Sequence, residues 1–188
     1  MSRIPRLTRA GLDDRQRELY DAIASGPRAK NPFGIADPGG ALDGPFNAML
    51  LHPPVGDAEQ RLGAAIRYQG SLPDRAREIA VLTVAATVHS GFEQYAHEHL
   101  GRQVGLTDAE IETLRAGRLP ELADPEEAAV AEFTRCILDT GTLDDEQFAR
   151  ADASLGTGTL YELTTVIGYY QMIALQLRVF GVEAPEPA

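Results

Sequence analysis

Residues 79–88, IAVLTVAATV, carry no charge and no turn residue. A segment that is apolar on every side has to be enclosed, so the rest of the chain must fold around it. At about 1.5 Å per helical residue it is too short to cross a bilayer. Its β-branched content would suit a buried strand. The preceding Ser71-Leu-Pro-Asp reads instead as a helix entry, with Pro73 near the first turn, and no partner strand is visible elsewhere. REIAVLTVAATVH is therefore expected to be a buried helix.

Helix punctuation recurs along the sequence. Asp13 and Asp14 precede RQRELYDAIASG, an amphipathic segment stopped at Gly26. FNAMLLH reads as a short helix, and VGDAEQRLGAAIRYQG as another with Leu62, Ala65 and Ile66 on one face. Ser90-Gly-Phe-Glu93 and Thr107-Asp-Ala-Glu110 both fit the capping-box pattern, closed by Gly105 and Gly117. Asp124-Pro125 opens a further helix that ends at Gly141, DDEQFARADASLG makes a shorter one, and residues 159–180 a long last one. The expected fold is all-α, a single-domain helical bundle spanning 1–188. Its arm, 1–12, and its tail, 181–188, are expected to be flexible. The Gly/Pro-rich stretch over 26–45 is too long and irregular for a plain connector.

Composition narrows the function classes. With 17 Lys and Arg against 28 Asp and Glu, the net charge is −11, which disfavours nucleic acid and anionic membrane as partners. Arg3, Arg6 and Arg9 form no more than a short basic stretch. The single cysteine, Cys136, leaves no internal disulfide framework. With Val130, Phe133 and Ile137 it falls on an apolar helical face, so it is expected to be buried. No signal-like segment opens the sequence, so a cytoplasmic location is expected. The glycines of FGIADPGG and GTGTL follow no expected strand, so no dinucleotide or phosphate cradle and no cofactor is expected.

Three of the four histidines lie in HSGFEQYAHEH, residues 89–99. A metal site would need His89, Glu93 and His97 to share an ion. Eight helical residues rise about 12 Å, so the outer two cannot both reach one ion, and no metal is expected. In the plainer reading Ser90 and Glu93 cap the helix reciprocally and His97 is a core histidine. In an acid–base reading, Glu93 and His97 are i and i+4, so a carboxylate meets an imidazole on one face. Such a pair holds and moves a proton near neutral pH. Glu78 is a third element, a carboxylate one turn into an apolar helix. It either pairs with Arg75 or Arg77 at the helix mouth or points into a pocket.

Taken together, GPFNAMLLHPP, LPDRAREIAVLTVAA, SGFEQYAHEH and GLTDAEIETLRAG resemble the carboxymuconolactone decarboxylase family and its alkylhydroperoxidase-D-like relatives, over about 44–117. The resemblance implies an all-α subunit that forms a homo-oligomer, trimer or hexamer, and acts on a small-molecule substrate near a subunit interface. Glu78 and His97 match the family's acid and histidine, and with Glu93 they are the expected catalytic group. In the peroxidase relatives the motif is Glu, Cys-x-x-Cys, His, and here the cysteine positions hold Ser90 and Glu93. Thiol-based peroxide reduction needs an attacking thiolate and a resolving thiol, so it is not expected of this chain. Glutamate at the second position looks like the decarboxylase-type branch, a lyase or isomerase acting on an unsaturated lactone or oxo-acid. His89 and Ser90 are then candidates to hydrogen-bond substrate, and Phe46 and Met49 to wall it. The alternatives are a thiol-independent oxidoreductase or metal enzyme on the same scaffold, and an oligomer that has lost catalysis.

Overall fold

A computed structural model describes residues 2–26, 28 and 34–184. Nine α-helices are found among them: α1 (Asp14–Ser25), α2 (Pro45–Met49), α3 (Pro53–Tyr68), α4 (Asp74–Thr87), α5 (Gly91–Gln103), α6 (Asp108–Arg115), α7 (Pro125–Thr140), α8 (Asp145–Leu155) and α9 (Thr157–Phe180). A 3-10 turn at Arg9–Gly11 and two isolated β-bridges, Thr8 to Ala41 and Ala36 to Leu42, accompany them. The fold is all-α, and none of the described helices is long and apolar enough to cross a membrane. The helices gather into two compact units. The first holds the described residues up to Gln69 together with Gln176–Glu183; the second holds Gly70–Leu175 and Ala184.

Several helix starts follow from side chains that satisfy the free N–H groups of a first turn. Asp13 with Gln16, Thr107 with Glu110, and Asp144 with Gln147 form reciprocal capping boxes. Asp124 accepts from the N–H groups of Glu126 and Glu127, with Pro125 in the first turn. Gly141, at φ 76°, closes α7 in the left-handed conformation that suits glycine.

In the second unit α4 is the enclosed element. Every residue from Ala76 to Ala85 is buried, as expected for a helix apolar on all sides. It packs against α5, α6 and α7. Ile79 and Leu82 meet Leu106, Ile111, Leu114 and Ala131, with Leu122 at the edge. Arg75 ties three helices at the mouth of α4. Its guanidinium pairs with Glu110 at 2.6 Å and Glu127 at 2.9 Å, and donates to the Gly105 carbonyl.

In the first unit α3 packs on α1 and α2. Its orientation differs from the sequence expectation. Leu62 is exposed, as is Val55, whereas Gly56, Glu59, Gln60, Gly63 and Ile66 face inward. Gly56 explains the rotation: a Cβ there would stand 2.3 Å from the Met49 carbonyl oxygen, so the glycine must face α2. The arm expected to be flexible is hydrogen-bonded. Arg6 bridges Asp37 and Asp43, the Leu7 N–H donates to Asn47 Oδ1, and the Asn47 amide donates to the Pro5 carbonyl. Residues 27 and 29–33 of the 26–45 stretch, and residues 185–188 of the tail, lie outside the described residues.

Candidate active site

Everything in the site follows from the turn between α4 and α5. The Ser90 N–H bonds back to the Ala85 carbonyl and the His89 N–H to Ala86. These two bonds define a Schellman turn, which normally places a glycine in the left-handed position. Here that residue is His89, at φ 53°, the only non-glycine residue with positive φ among those described. Histidine enters this region more readily than most residues but still strains there. The turn folds α5 back along α4, and their facing sides then carry the chemistry.

The imidazole of His97 sits between two carboxylates. Its Nδ1 lies 2.6 Å from Glu78 Oε2, and its Nε2 lies 3.3 Å from Glu93 Oε2. All three side chains are buried, Glu78 completely. Burial pushes the imidazole toward its neutral form. The two carboxylates outweigh that, Glu78 more than Glu93, and hold its pKa up at about 9. At pH 7 the ring is therefore an imidazolium, with Nδ1–H donating to Glu78 and Nε2–H aimed at Glu93. Each ring nitrogen faces a carboxylate, so a proton has a continuous path from α4 to α5.

The capping box expected at the start of α5 is not formed. Ser90 is the N-cap residue but its side chain makes no capping bond. Glu93 turns to His97 instead of back to the Ser90 N–H. An ion pair with a buried imidazolium outcompetes a neutral backbone donor for the carboxylate. Glu78, for which the sequence left two orientations open, faces His97 and not the arginines of the α4 mouth. Arg77 pairs with Asp74, and Arg75 with Glu110 and Glu127.

The remaining expected residues lie on the α4–α5 turn and on α2. Ser90 is buried one turn from Glu93, whereas the His89 side chain is exposed. Phe46 and Met49 stand on α2, in the first unit. Phe46 is half-buried with the Arg28 guanidinium 5.3 Å from its ring centre, and Met49 is buried. Glu98, which a helical pattern places on a solvated face, is buried and clamped by Arg115 and Gln94. Cys136 is half-buried on α7, not fully buried as its apolar neighbours suggested. No three His, Cys, Asp or Glu side chains among the described residues are placed to hold a metal ion. In the triad itself the two carboxylates approach opposite nitrogens of one ring, so the three do not converge on a point.

One residue of the site was missed in the sequence. Tyr170, on α9, meets the His97 ring edge-on, with centroids 4.9 Å apart and planes at 87°. The available signal was its place on the buried 3–4 stripe of α9, with Leu163, Val166, Ile167, Ile173 and Leu177, which by itself says only that Tyr170 faces inward.

Residues 53–135, the stretch that carries Glu78, Glu93 and His97, match the model of the carboxymuconolactone decarboxylase family. Over those residues the chain is similar to the carboxymuconolactone decarboxylase family. No curated protein sequence matches it. Among solved structures, it is similar to a peroxidase-related protein with an alkylhydroperoxidase AhpD core from Ralstonia eutropha JMP134. That likeness has a TM-score of 0.78 at 14% identity, over 98% of this chain and 93% of the other. A peroxidase-related protein from Silicibacter sp. TM1040 gives 0.73 at 10% identity, over 98% and 92%. A cysteine-to-alanine variant of the debrominase Bmp8, solved in complex with 2,3,4-tribromopyrrole, gives 0.67 at 11% identity, over 92% and 87%. At these identities the structural likeness speaks for the fold. At the two positions where the sequence resemblance implies cysteines in thiol relatives, this chain has Ser90 and Glu93.

Proposed function

We propose that this chain is an acid–base enzyme of the carboxymuconolactone decarboxylase type, decarboxylating or isomerising a small unsaturated lactone or oxo-acid. The observation that carries this reading is the Glu78–His97–Glu93 chain, with a glutamate where thiol members of the superfamily have their second cysteine. A carboxyl group has no accessible redox couple, but it takes and gives protons.

Both nitrogens of His97 are engaged, so substrate meets the outer carboxylate and not the ring. Glu93 is then the group that touches the reacting carbon, and His97 and Glu78 set its protonation. In an isomerisation, Glu93 removes a proton from the carbon next to the carbonyl system. The electron pair passes into a dienolate, and the same proton returns at the far carbon. In a decarboxylation, the bond to the carboxylate carbon breaks, carbon dioxide leaves and the electron pair forms an enolate. Glu93, recharged from His97, protonates that enolate, and water restores the proton to the relay. Ser90, buried beside Glu93, is the nearest candidate to hydrogen-bond the substrate carbonyl. A positioned acid–base group of this kind contributes about 10²–10⁴ in rate. The expected location is cytoplasmic and the expected assembly a homo-oligomer, trimer or hexamer.

The test is a panel of unsaturated lactones and β- or γ-oxo-acids, followed by absorbance and carbon dioxide release. Wild type, Glu93→Gln and His97→Ala are compared, with an alkyl hydroperoxide and 2,3,4-tribromopyrrole as further arms. Turnover of a lactone or oxo-acid that falls at least about a hundredfold in both variants supports the reading. Undiminished turnover in His97→Ala, or consumption of hydroperoxide or bromopyrrole alone, overturns it.

A further inference from the structure

We infer that Tyr170 is a positioning residue of this site, fixing the plane of the His97 ring so that both nitrogens face their carboxylates at once. The inference deepens the acid–base reading above, and rests on a part of the chain outside the family match at 53–135.

The torsion that turns an imidazole about its Cβ–Cγ bond is soft. A ring tethered at Nδ1 by the 2.6 Å contact to Glu78 can still pivot there, and pivoting carries Nε2 away from Glu93. The Glu93 contact, already 3.3 Å, is the one that fails first. Tyr170, from outside α4 and α5, is in contact with the ring and opposes that pivot. Its own ring is braced in turn, since Tyr169 meets it edge-on with centroids 5.3 Å apart and planes at 88°. Both tyrosines are buried. The imidazolium is thus bounded by Glu78 from α4, Glu93 from α5 and Tyr170 from α9. Edge-to-face aromatic pairs prefer this perpendicular arrangement, so rotation of the imidazole is opposed from the tyrosine side.

A merely space-filling tyrosine would affect stability alone. A positioning tyrosine affects the two imidazolium N–H groups unequally, and this is read without any substrate. The experiment is NMR on the full chain with ¹⁵N-labelled histidine, comparing wild type, Tyr170→Phe and Tyr170→Leu. Wild type is expected to show both His97 N–H resonances at pH 7, and Tyr170→Phe, which keeps the ring, to keep both. Tyr170→Leu is expected to lose the Nε2–H resonance to exchange, to keep Nδ1–H, and to lower the His97 pKa by about one unit. If Tyr170→Leu leaves both resonances and the titration unmoved, the inference is wrong. Should that variant not fold, Tyr170→Met, which is unbranched and adaptable, carries the same comparison. Failure of the lactone screen would leave this result standing, and the reverse also holds.

Discussion

Glu78 and His97 are 19 positions apart in sequence and 2.6 Å apart in the fold, joined across the turn at His89. That contact is buried on both sides. Removing one partner of a buried pair leaves the other unmatched, which costs about 3–5 kcal/mol. Glu78→Gln should therefore destabilise the protein by a few kcal/mol at pH 7, measured by urea unfolding. Glu93→Gln, with its longer contact, should cost less.

Stability should depend on pH through His97. Unfolded, the imidazole titrates at about 6.5; folded, it is held at about 9. Between those values the folded chain holds a proton that the unfolded chain has released, so stability falls as pH rises. The contribution is complete below about pH 6.5 and gone above about pH 9, and amounts to roughly 3 kcal/mol. Urea unfolding at intervals from pH 6 to 10 reads it directly, and the decline should flatten in His97→Ala.

His89→Gly should stabilise the protein by about 0.5–1 kcal/mol, because the left-handed position in the α4–α5 turn strains any side chain. With its side chain exposed, His89 serves here as a turn residue, so turnover of any substrate found should be unchanged. A loss of activity at unchanged stability would restore the substrate-binding role that the sequence suggested for it.

The α2–α3 approach and the interior of α9 give opposite outcomes for one substitution. Gly56→Ala would force a Cβ to 2.3 Å from the Met49 carbonyl oxygen, a backbone atom that cannot step aside. It should cost about 1–3 kcal/mol by thermal or urea unfolding. Gly168 sits inside α9 with nothing within 4 Å of its added Cβ. Gly168→Ala should gain about 0.5–1 kcal/mol.

Cys136→Ser should leave every activity of the protein unchanged, since the lone thiol stands on α7 and no second thiol exists to resolve a sulfenic acid. Hydroperoxide consumption by wild type that disappears in this variant would contradict the account.

Helices were legible because their signals are local. The capping box at Thr107 and the glycine stops at 105, 117 and 141 involve residues within one turn of each other. The apolar run of α4 could only be enclosed, and it is. Where the sequence pattern failed, a contact from elsewhere decided. Ser90 and Glu93 have the spacing of a capping box, but the box competes with an imidazolium one turn on, and Glu93 goes to the charge. The face of α3 was misjudged because apolar periodicity favours Leu62, while the close approach of the Met49 carbonyl demands Gly56. Family resemblance brought Glu78 into the site, and only the fold shows it to be the tighter partner of His97. Tyr170 came from a helix too distant in sequence for spacing to connect it.

The central claim is that His97 is an imidazolium held between two carboxylates, and its titration tests that most directly. We would follow the four histidines by NMR from pH 5 to 10 in wild type, Glu93→Gln and Glu78→Gln. The account predicts one histidine titrating near 9, falling modestly in Glu93→Gln and much further in Glu78→Gln, where burial then dominates. A His97 that titrates near its ordinary value of about 6.5 and ignores both substitutions would contradict it.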